Sequence, residues 1–184
     1  MRKLFCLLGM VFLVCLTAAA QDDSKAQVFA GYSYIRANPA TSGAPSFNLN
    51  GGSASFAFTP GAFGIVGDFG GYHVGTISGV SVDSNVYTYL FGPRYSFRHN
   101  EHFTPFVQAL FGGAHVADTG VFGSSTSQNA FAMTIGGGLD LNATRHLAIR
   151  VGQVEYLLTR FEESPGNRMT QNNIRASAGI VFRF

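Results

Sequence analysis

From Phe131 the chain reads FAMTIGGGLDL. Phe131, Met133, Ile135, Leu139 and Leu141 hold one parity, and Ala132, Thr134, Gly136, Gly138 and Asp140 hold the other. A two-residue period with unlike faces is the mark of a β-strand. The same alternation recurs. Between Tyr87 and Phe97 the odd positions carry Tyr87, Tyr89, Phe91, Pro93, Tyr95 and Phe97, against Thr88, Leu90, Gly92, Arg94 and Ser96. From Phe63, the residues Phe63, Ile65, Gly67 and Phe69 oppose Gly64, Val66, Asp68 and Gly70. The last stretch sets Ile174, Ala176, Ala178, Ile180, Phe182 and Phe184 against Asn173, Arg175, Ser177, Gly179 and Arg183.

Eight segments of this kind are expected, at 26–36, 50–59, 63–74, 86–98, 103–116, 129–141, 146–161 and 171–184. Their connections alternate in length. Short ones fall at Pro60-Gly61, His99-Asn100 and Asn142-Ala143, and long ones at 37–49, 75–85, 117–128 and 162–170. The long ones are rich in Ser, Thr, Asn, Gly and Pro, which suits solvent. Alternating short turns and long loops are the pattern of an up-and-down membrane barrel. One strand breaks parity: Ile149 and Val151 are odd and apolar, Gln153 and Glu155 odd and polar. A β-bulge near Gly152 restores both halves and puts Arg150 and Glu155 on one face.

Composition decides which face meets what. Charged residues are only 12% of the chain, while Gly numbers 23 and Phe 18 of 184. A soluble domain carries about 25% charge. The small, glycine-rich polar face suits the narrow interior of an eight-stranded barrel, and the bulky apolar face suits lipid. The fold class expected is all-β, an eight-stranded antiparallel up-and-down transmembrane β-barrel. Aromatic residues sort by height into two belts. Tyr34, Tyr87, Tyr89, Phe131 and Tyr156 belong to the long-loop end; Phe58, Phe63, Tyr95, Phe97, Phe103 and Phe184 belong to the short-turn end.

The first residues stand apart. Arg2 and Lys3 precede an apolar run from Leu4 to Leu16, followed by Ala18, Ala19 and Ala20. That is the layout of a secretory signal peptide over 1–20, leaving a barrel domain at 21–184; the run is too short to span a membrane as a helix. Both cysteines, Cys6 and Cys15, lie within it, so no disulfide or thiol chemistry is expected of the mature chain. Removing Arg2 and Lys3 from twelve basic residues leaves ten, against ten acidic ones. The overall positive charge therefore belongs to the signal, and no nucleic-acid partner follows from it.

Charged residues on the inward parity are the candidates for chemistry. Asp68, Arg94, Arg150, Glu155 and Arg175 are expected to form a lumen charge network, since charge facing lipid is costly. Asp68 and Arg94 on the third and fourth strands suggest a direct pair, and Glu155 and Arg175 a second. The bland reading, a structural plug, outweighs a gated pore because eight strands leave an interior filled by side chains. Histidine offers little. His73 and His115 sit near the long-loop end, with Ser78, Ser81 and Asp83 following in one connection, but no spacing marks a triad. His99, His102 and His146 fall at short turns. No catalytic, cofactor-binding or metal-binding residue is assigned: ligand spacing is missing, and GGGLD at 136–140 lacks the Lys-Ser/Thr of a phosphate loop.

The ending Ser177-x-Gly179-x-x-Phe182-x-Phe184 resembles the C-terminal β-signal of outer-membrane barrel proteins. That resemblance implies recognition of the last strand by the barrel assembly machinery, an edge strand offering unpaired backbone groups before closure. The stretches VFAGYSYIR at 28–36, TPGAFGIVGDFGGY at 59–72, FGPRYSF at 91–97 and IRVGQVEYLLTRF at 149–161 make the mature chain similar to the small outer-membrane β-barrel family that includes the OmpA transmembrane domain and OmpX. The resemblance implies a bacterial outer-membrane location, contact with outer-membrane lipids, a monomer, and a structural or surface-interaction role through four extracellular loops. Two rival roles are a small-solute porin and a lipid A-modifying enzyme. The sequence names no loop ligand.

Overall fold

The computed structural model describes residues 25–38, 46–77, 80–119, 125–164 and 167–184; side chains at 75–84, 118–127 and 161–169 are not considered. The expected leader, the 37–49 connection over 39–45, and the side chains of Ser78, Ser81 and Asp83 lie outside this set. Eight antiparallel strands close on themselves in chain order. They are β1 Ala26–Ala37, β2 Phe47–Phe58, β3 Phe63–Ile77, β4 Val80–Ser96, β5 Phe103–Thr119, β6 Ser125–Asn142, β7 Leu147–Ser164 and β8 Asn167–Arg183.

Burial is inverted relative to a soluble domain. Phe63 is 71% exposed and Phe69, Phe91, Ile135 and Val154 are exposed with it, while Arg175 is 1% exposed. Every strand turns large apolar side chains outward. The buried charged side chains Asp68, Arg94, Arg150, Glu155 and Arg175 point inward, and the inward set also buries an apolar cluster that includes Ile35, Leu49, Leu90, Leu110 and Leu157. This follows from the solvent: lipid accepts the large apolar side chains, and closure satisfies every ladder hydrogen bond inside the sheet.

Closure runs from Gln27↔Arg183 to Arg36↔Ile174 between β1 and β8. The ladder reaches the last residue, with Ala26 N donating to Phe184 O at 3.2 Å and Phe184 N to Ala26 O at 2.9 Å. At this seam Gly31 faces Gly179. A Cβ on Gly179 would lie 2.5 Å from Gly31 Cα, and one on Gly31 would lie 2.8 Å from the Phe29 ring. The seam closes because both positions are glycine.

The short turns are where the sequence places them. Residues 59–62, 97–102 and 143–146 connect β2–β3, β4–β5 and β6–β7. In the last of these Thr144 Oγ1 accepts from the His146 and Leu147 N–H groups, a local side-chain turn. The long connections are a correction. Strand pairing runs on to Ile77↔Val80, Thr119↔Ser125 and Ser164↔Asn167, so most of the expected loops 75–85, 117–128 and 162–170 is strand. Beyond the apolar band both faces of a hairpin can be polar. Alternation then ceases to mark the strand although backbone pairing continues.

The bulge near Gly152 is present. β6 pairs Leu139 with Gly152 and then Asp140 with Arg150, leaving Val151 over, and the β8 register also shifts between Arg150 and Gln153. Arg150, Gln153 and Glu155 are buried in consequence, while Val151 and Val154 face out. At the short-turn end Phe63 and Tyr95 pack edge to face at 4.8 Å, as do Tyr95 and Phe97.

Candidate functional site in the barrel lumen

The lumen is crossed by charged side chains at two levels. At the first, Glu155 stands opposite Arg175, Gly136 opposite Glu155, Gln108 opposite Gly136 and Arg94 opposite Gln108. One hydrogen-bonded row thus carries these residues across β8, β7, β6, β5 and β4. Arg175 Nε donates to Glu155 Oε2 at 2.7 Å. Gln108 Nε2 donates to Glu155 Oε1 at 2.7 Å, and Arg94 Nε donates to Gln108 Oε1 at 2.9 Å. Gly136 lets β6 and β7 approach in this row: a Cβ there would collide with Val154 O and lie 2.8 Å from Glu155 Cγ.

Arg175 also spans the barrel. Its Nη1 donates to Asp68 Oδ1 on β3 at 2.6 Å, past the intervening β1 and β2. Tyr72 Oη lies 3.5 Å from the same nitrogen and 3.3 Å from Ser33 Oγ, which in turn lies 2.7 Å from Ser177 Oγ. Ser177, read as part of an assembly signal, is therefore also a buried member of the lumen network.

At the second level Arg150 grips Asp140 with both edges of its fork, Nε to Oδ1 at 2.8 Å and Nη2 to Oδ2 at 3.2 Å. Its Nη1 donates to Gln153 Oε1 at 2.7 Å. The guanidinium lies 4.4 Å from the ring centres of both Phe29 and Phe106, and Arg94 lies 4.3 Å from Phe106. Such contacts contribute roughly 0.5–2 kcal/mol each. β1, β4, β5 and β7 are tied together at this level without further carboxylates.

All five charges expected in the lumen are buried there, but not all in the expected pairs. Glu155 and Arg175 meet. Asp68 and Arg94 do not form the direct pair: register puts Asp68 opposite Leu90 and Arg94 opposite Gly64, four residues along the ladder. Asp68 goes to Arg175, and Arg94 to Gln108 and Phe106. Gln108, Gln153, Tyr72, Phe29 and Phe106 were missed as members. Inward parity was the available signal for each, but parity does not give height.

Nothing catalytic converges among the described residues. His73 Nδ1 lies 3.2 Å from Asn85 Oδ1 and His115 Nδ1 lies 2.8 Å from Asn129 Oδ1, both on outward parity. His99, His102 and His146 are exposed in the short turns. No group of three His, Cys, Asp or Glu that could hold a metal occurs among the described residues. The lumen side chains form one polar network across the barrel, with its ionic groups arranged around shared carboxylates.

The family model described as outer membrane protein beta-barrel domain matches residues 6–182. No curated protein matches the sequence. Among solved structures the chain is similar to Ail, the attachment invasion locus protein of Yersinia pestis, at 19% identity and TM-score 0.61, covering 88% of this chain and 99% of that one. Neisserial surface protein A is similar at 14% identity and TM-score 0.69, covering 89% and 100%. OprG of Pseudomonas aeruginosa is similar at 12% identity and TM-score 0.54, covering 88% and 96%. At these identities the likeness is one of fold. Ail has also been crystallised with the heparin analogue sucrose octasulfate.

Proposed function

This chain belongs to the outer membrane protein β-barrel domain family of the bacterial outer membrane, and we propose that it serves there as a plugged, non-conducting barrel that presents its long hairpins outside the cell. The observation that carries this reading is the Asp68–Arg175–Glu155 bridge across the lumen, with Arg150 wedged between Phe29 and Phe106 at a second height. A narrow eight-stranded interior with two such crossings has no continuous water path. Its role is structural or interactive, not enzymatic, and its surroundings are outer-membrane lipids.

The hairpins set the chemistry of the outer partner. Over 37–49, 75–85, 117–128 and 162–170 the sequence carries Asp83, Asp118, Glu162 and Glu163 against Arg168 alone. A polyanion such as the heparin analogue bound by Ail is disfavoured by that balance; a neutral or cationic surface is favoured. The leader 1–20 is removed on export, the barrel works as a monomer, and Ser177, Gly179, Phe182 and Phe184 are read by the assembly machinery.

Planar-bilayer recording of the purified barrel tests the plug. The expected trace stays at lipid background; reproducible steady conductance steps would replace the plugged barrel by a pore. Mass spectrometry of lipid A from cells with and without the protein is expected to give the same species.

A further inference from the structure

On the outer wall, β3, β4 and β5 enclose an apolar groove of about 390 Å³. Gly67 is its floor, and Phe69, Tyr89, Phe91 and Phe111 are its walls. Asp68 and Leu90 border it as well, but their side chains are buried in the lumen. The four rings are half exposed, so the groove faces the membrane. Its room comes from one missing side chain, since a Cβ on Gly67 meets nothing within 4 Å. Tyr89 is fixed as a wall because its ring lies over Gly113, where a Cβ would run into it. Toward the short turns, Ile65 and Phe63 stand out from β3 below the groove. Toward the long hairpins the wall is low. Gly71 follows Phe69 on outward parity and faces Gly52 on β2. A Cβ on Gly52 meets only Gly31 O at 3.5 Å, and one on Gly71 meets only the Tyr87 ring at 3.7 Å. This path ends where Asn50 faces His73. Asn50 Oδ1 accepts from the Tyr32 hydroxyl at 2.6 Å, which leaves the amide N–H donors to the headgroup zone.

We propose that this groove binds one acyl chain of an outer-leaflet lipid, with the headgroup at Asn50 and His73 and the chain end at Gly67. Length supports this occupant. His73 is six positions after Gly67, a rise of about 20 Å along β3. At the usual barrel tilt that is about 15 Å of depth, half of the roughly 30 Å hydrocarbon core. Gly67 therefore lies at the bilayer midplane, where a chain from either leaflet ends. The low wall lies on the long-hairpin side, and this assigns the chain to the outer leaflet. Lipid tails are as apolar as the phenylalanine rings, so the preference comes from van der Waals packing rather than from leaving water. A notch floored by glycine gives a chain contacts on three sides, which a convex wall does not. A second barrel would bring another convex wall, and such a wall cannot fill a notch this narrow. The inference rests on the membrane location of the barrel and not on the plug.

The test places the mature barrel in phosphatidylcholine vesicles with a trace of phosphatidylcholine carrying a diazirine at the end of one palmitoyl chain. After irradiation, labelled positions are read by mass spectrometry of proteolytic peptides. Labelling at Phe69, Phe91 and Phe111 is taken relative to that at outward-facing Ile135 and Val154 on β6 and β7. This ratio is expected to be about fivefold higher in the parent than in Gly67→Leu, which fills the groove; fivefold is about 1 kcal/mol. Ala178→Leu, which adds the same side chain to the outward wall of β8, should keep the parent ratio. Phe91→Ala, which removes a wall, should lower labelling at Phe69 and Phe111. A second probe with the diazirine at carbon 2 of the chain should favour Asn50 and His73 over Phe63 and Tyr95. Equal ratios in the parent and Gly67→Leu would overturn the proposal. So would a carbon-2 probe that favours Phe63 and Tyr95, which would give the groove to the inner leaflet. A dimer in sedimentation that Gly67→Leu disperses would replace the chain by a second copy. Should Gly67→Leu fail to fold, the Phe91→Ala comparison decides. These outcomes are independent of whether the lumen conducts.

Discussion

Arg175 on β8 and Asp68 on β3 are 107 positions apart and meet at 2.6 Å across the lumen. The same guanidinium holds Glu155 on β7. One side chain therefore links β3, β7 and β8 across the lumen.

Asp68→Ala leaves Arg175 with one carboxylate instead of two. Losing one partner of a buried pair costs about 3–5 kcal/mol. The melting midpoint, read as heat-modifiable mobility on a gel, should fall sharply in Asp68→Ala and in Arg175→Met. The double variant should recover part of the loss. Asp68→Ala and Arg94→Gln should couple more weakly than Asp68→Ala and Arg175→Met, because Arg94 reaches Asp68 only through Gln108, Glu155 and Arg175; coupling as strong as that of Asp68 with Arg175 would contradict the pairing described.

Gly136→Val should destabilise by about 1–3 kcal/mol through overpacking against the Val154 carbonyl and Glu155. Gly67 is the control. A Cβ there meets nothing within 4 Å, and its position faces outward. Gly67→Val should fold and melt like the parent. Similar losses at both glycines would point to strand conformation rather than lumen space.

Replacing Arg150, Arg175 and Phe106 together by alanine removes the crossings at both heights. The variant is expected to show ion conductance in a planar bilayer where the parent is silent, provided circular dichroism shows intact strands. A folded triple variant that stays silent would place the block elsewhere.

Phe184→Ala should act on assembly more than on the finished fold. Its backbone is held by Ala26 in both directions, and these bonds survive truncation of the ring. Losing a partly exposed ring should cost about 1–3 kcal/mol by area. Folded protein in cells should drop steeply, while refolding from denaturant in detergent should still give a heat-modifiable barrel. Equal losses in the two settings would assign Phe184 to stability alone.

Much of this molecule was legible along the chain. The parity of Phe131 to Leu141, or of Ile174 to Phe184, says which side each residue faces, because a strand repeats every two residues whatever it pairs with. Turn chemistry located the short connections, and the broken parity at Val151 and Gln153 located the bulge. The polar hairpin ends escaped this reading, since outside the apolar band nothing forces the two faces to differ.

What the tertiary structure alone decided is height. Inward parity put Asp68, Arg94, Arg150, Glu155, Arg175 and Arg183 in one lumen, but of the two pairs it suggested only Glu155 with Arg175 meets. Height depends on the register at each of eight interfaces, on the one-residue shift at Val151, and on closure of β1 onto β8. Only when the ring closes do Asp68 and Arg175 fall within reach across two strands. The same closure puts Arg183 beside an Asp140 already held by Arg150, so Arg183 Nη2 comes only to 3.9 Å from Asp140 Oδ2 and its fork makes no hydrogen bond among the described residues. Faces are a local property of the backbone; partners are a property of the closed ring.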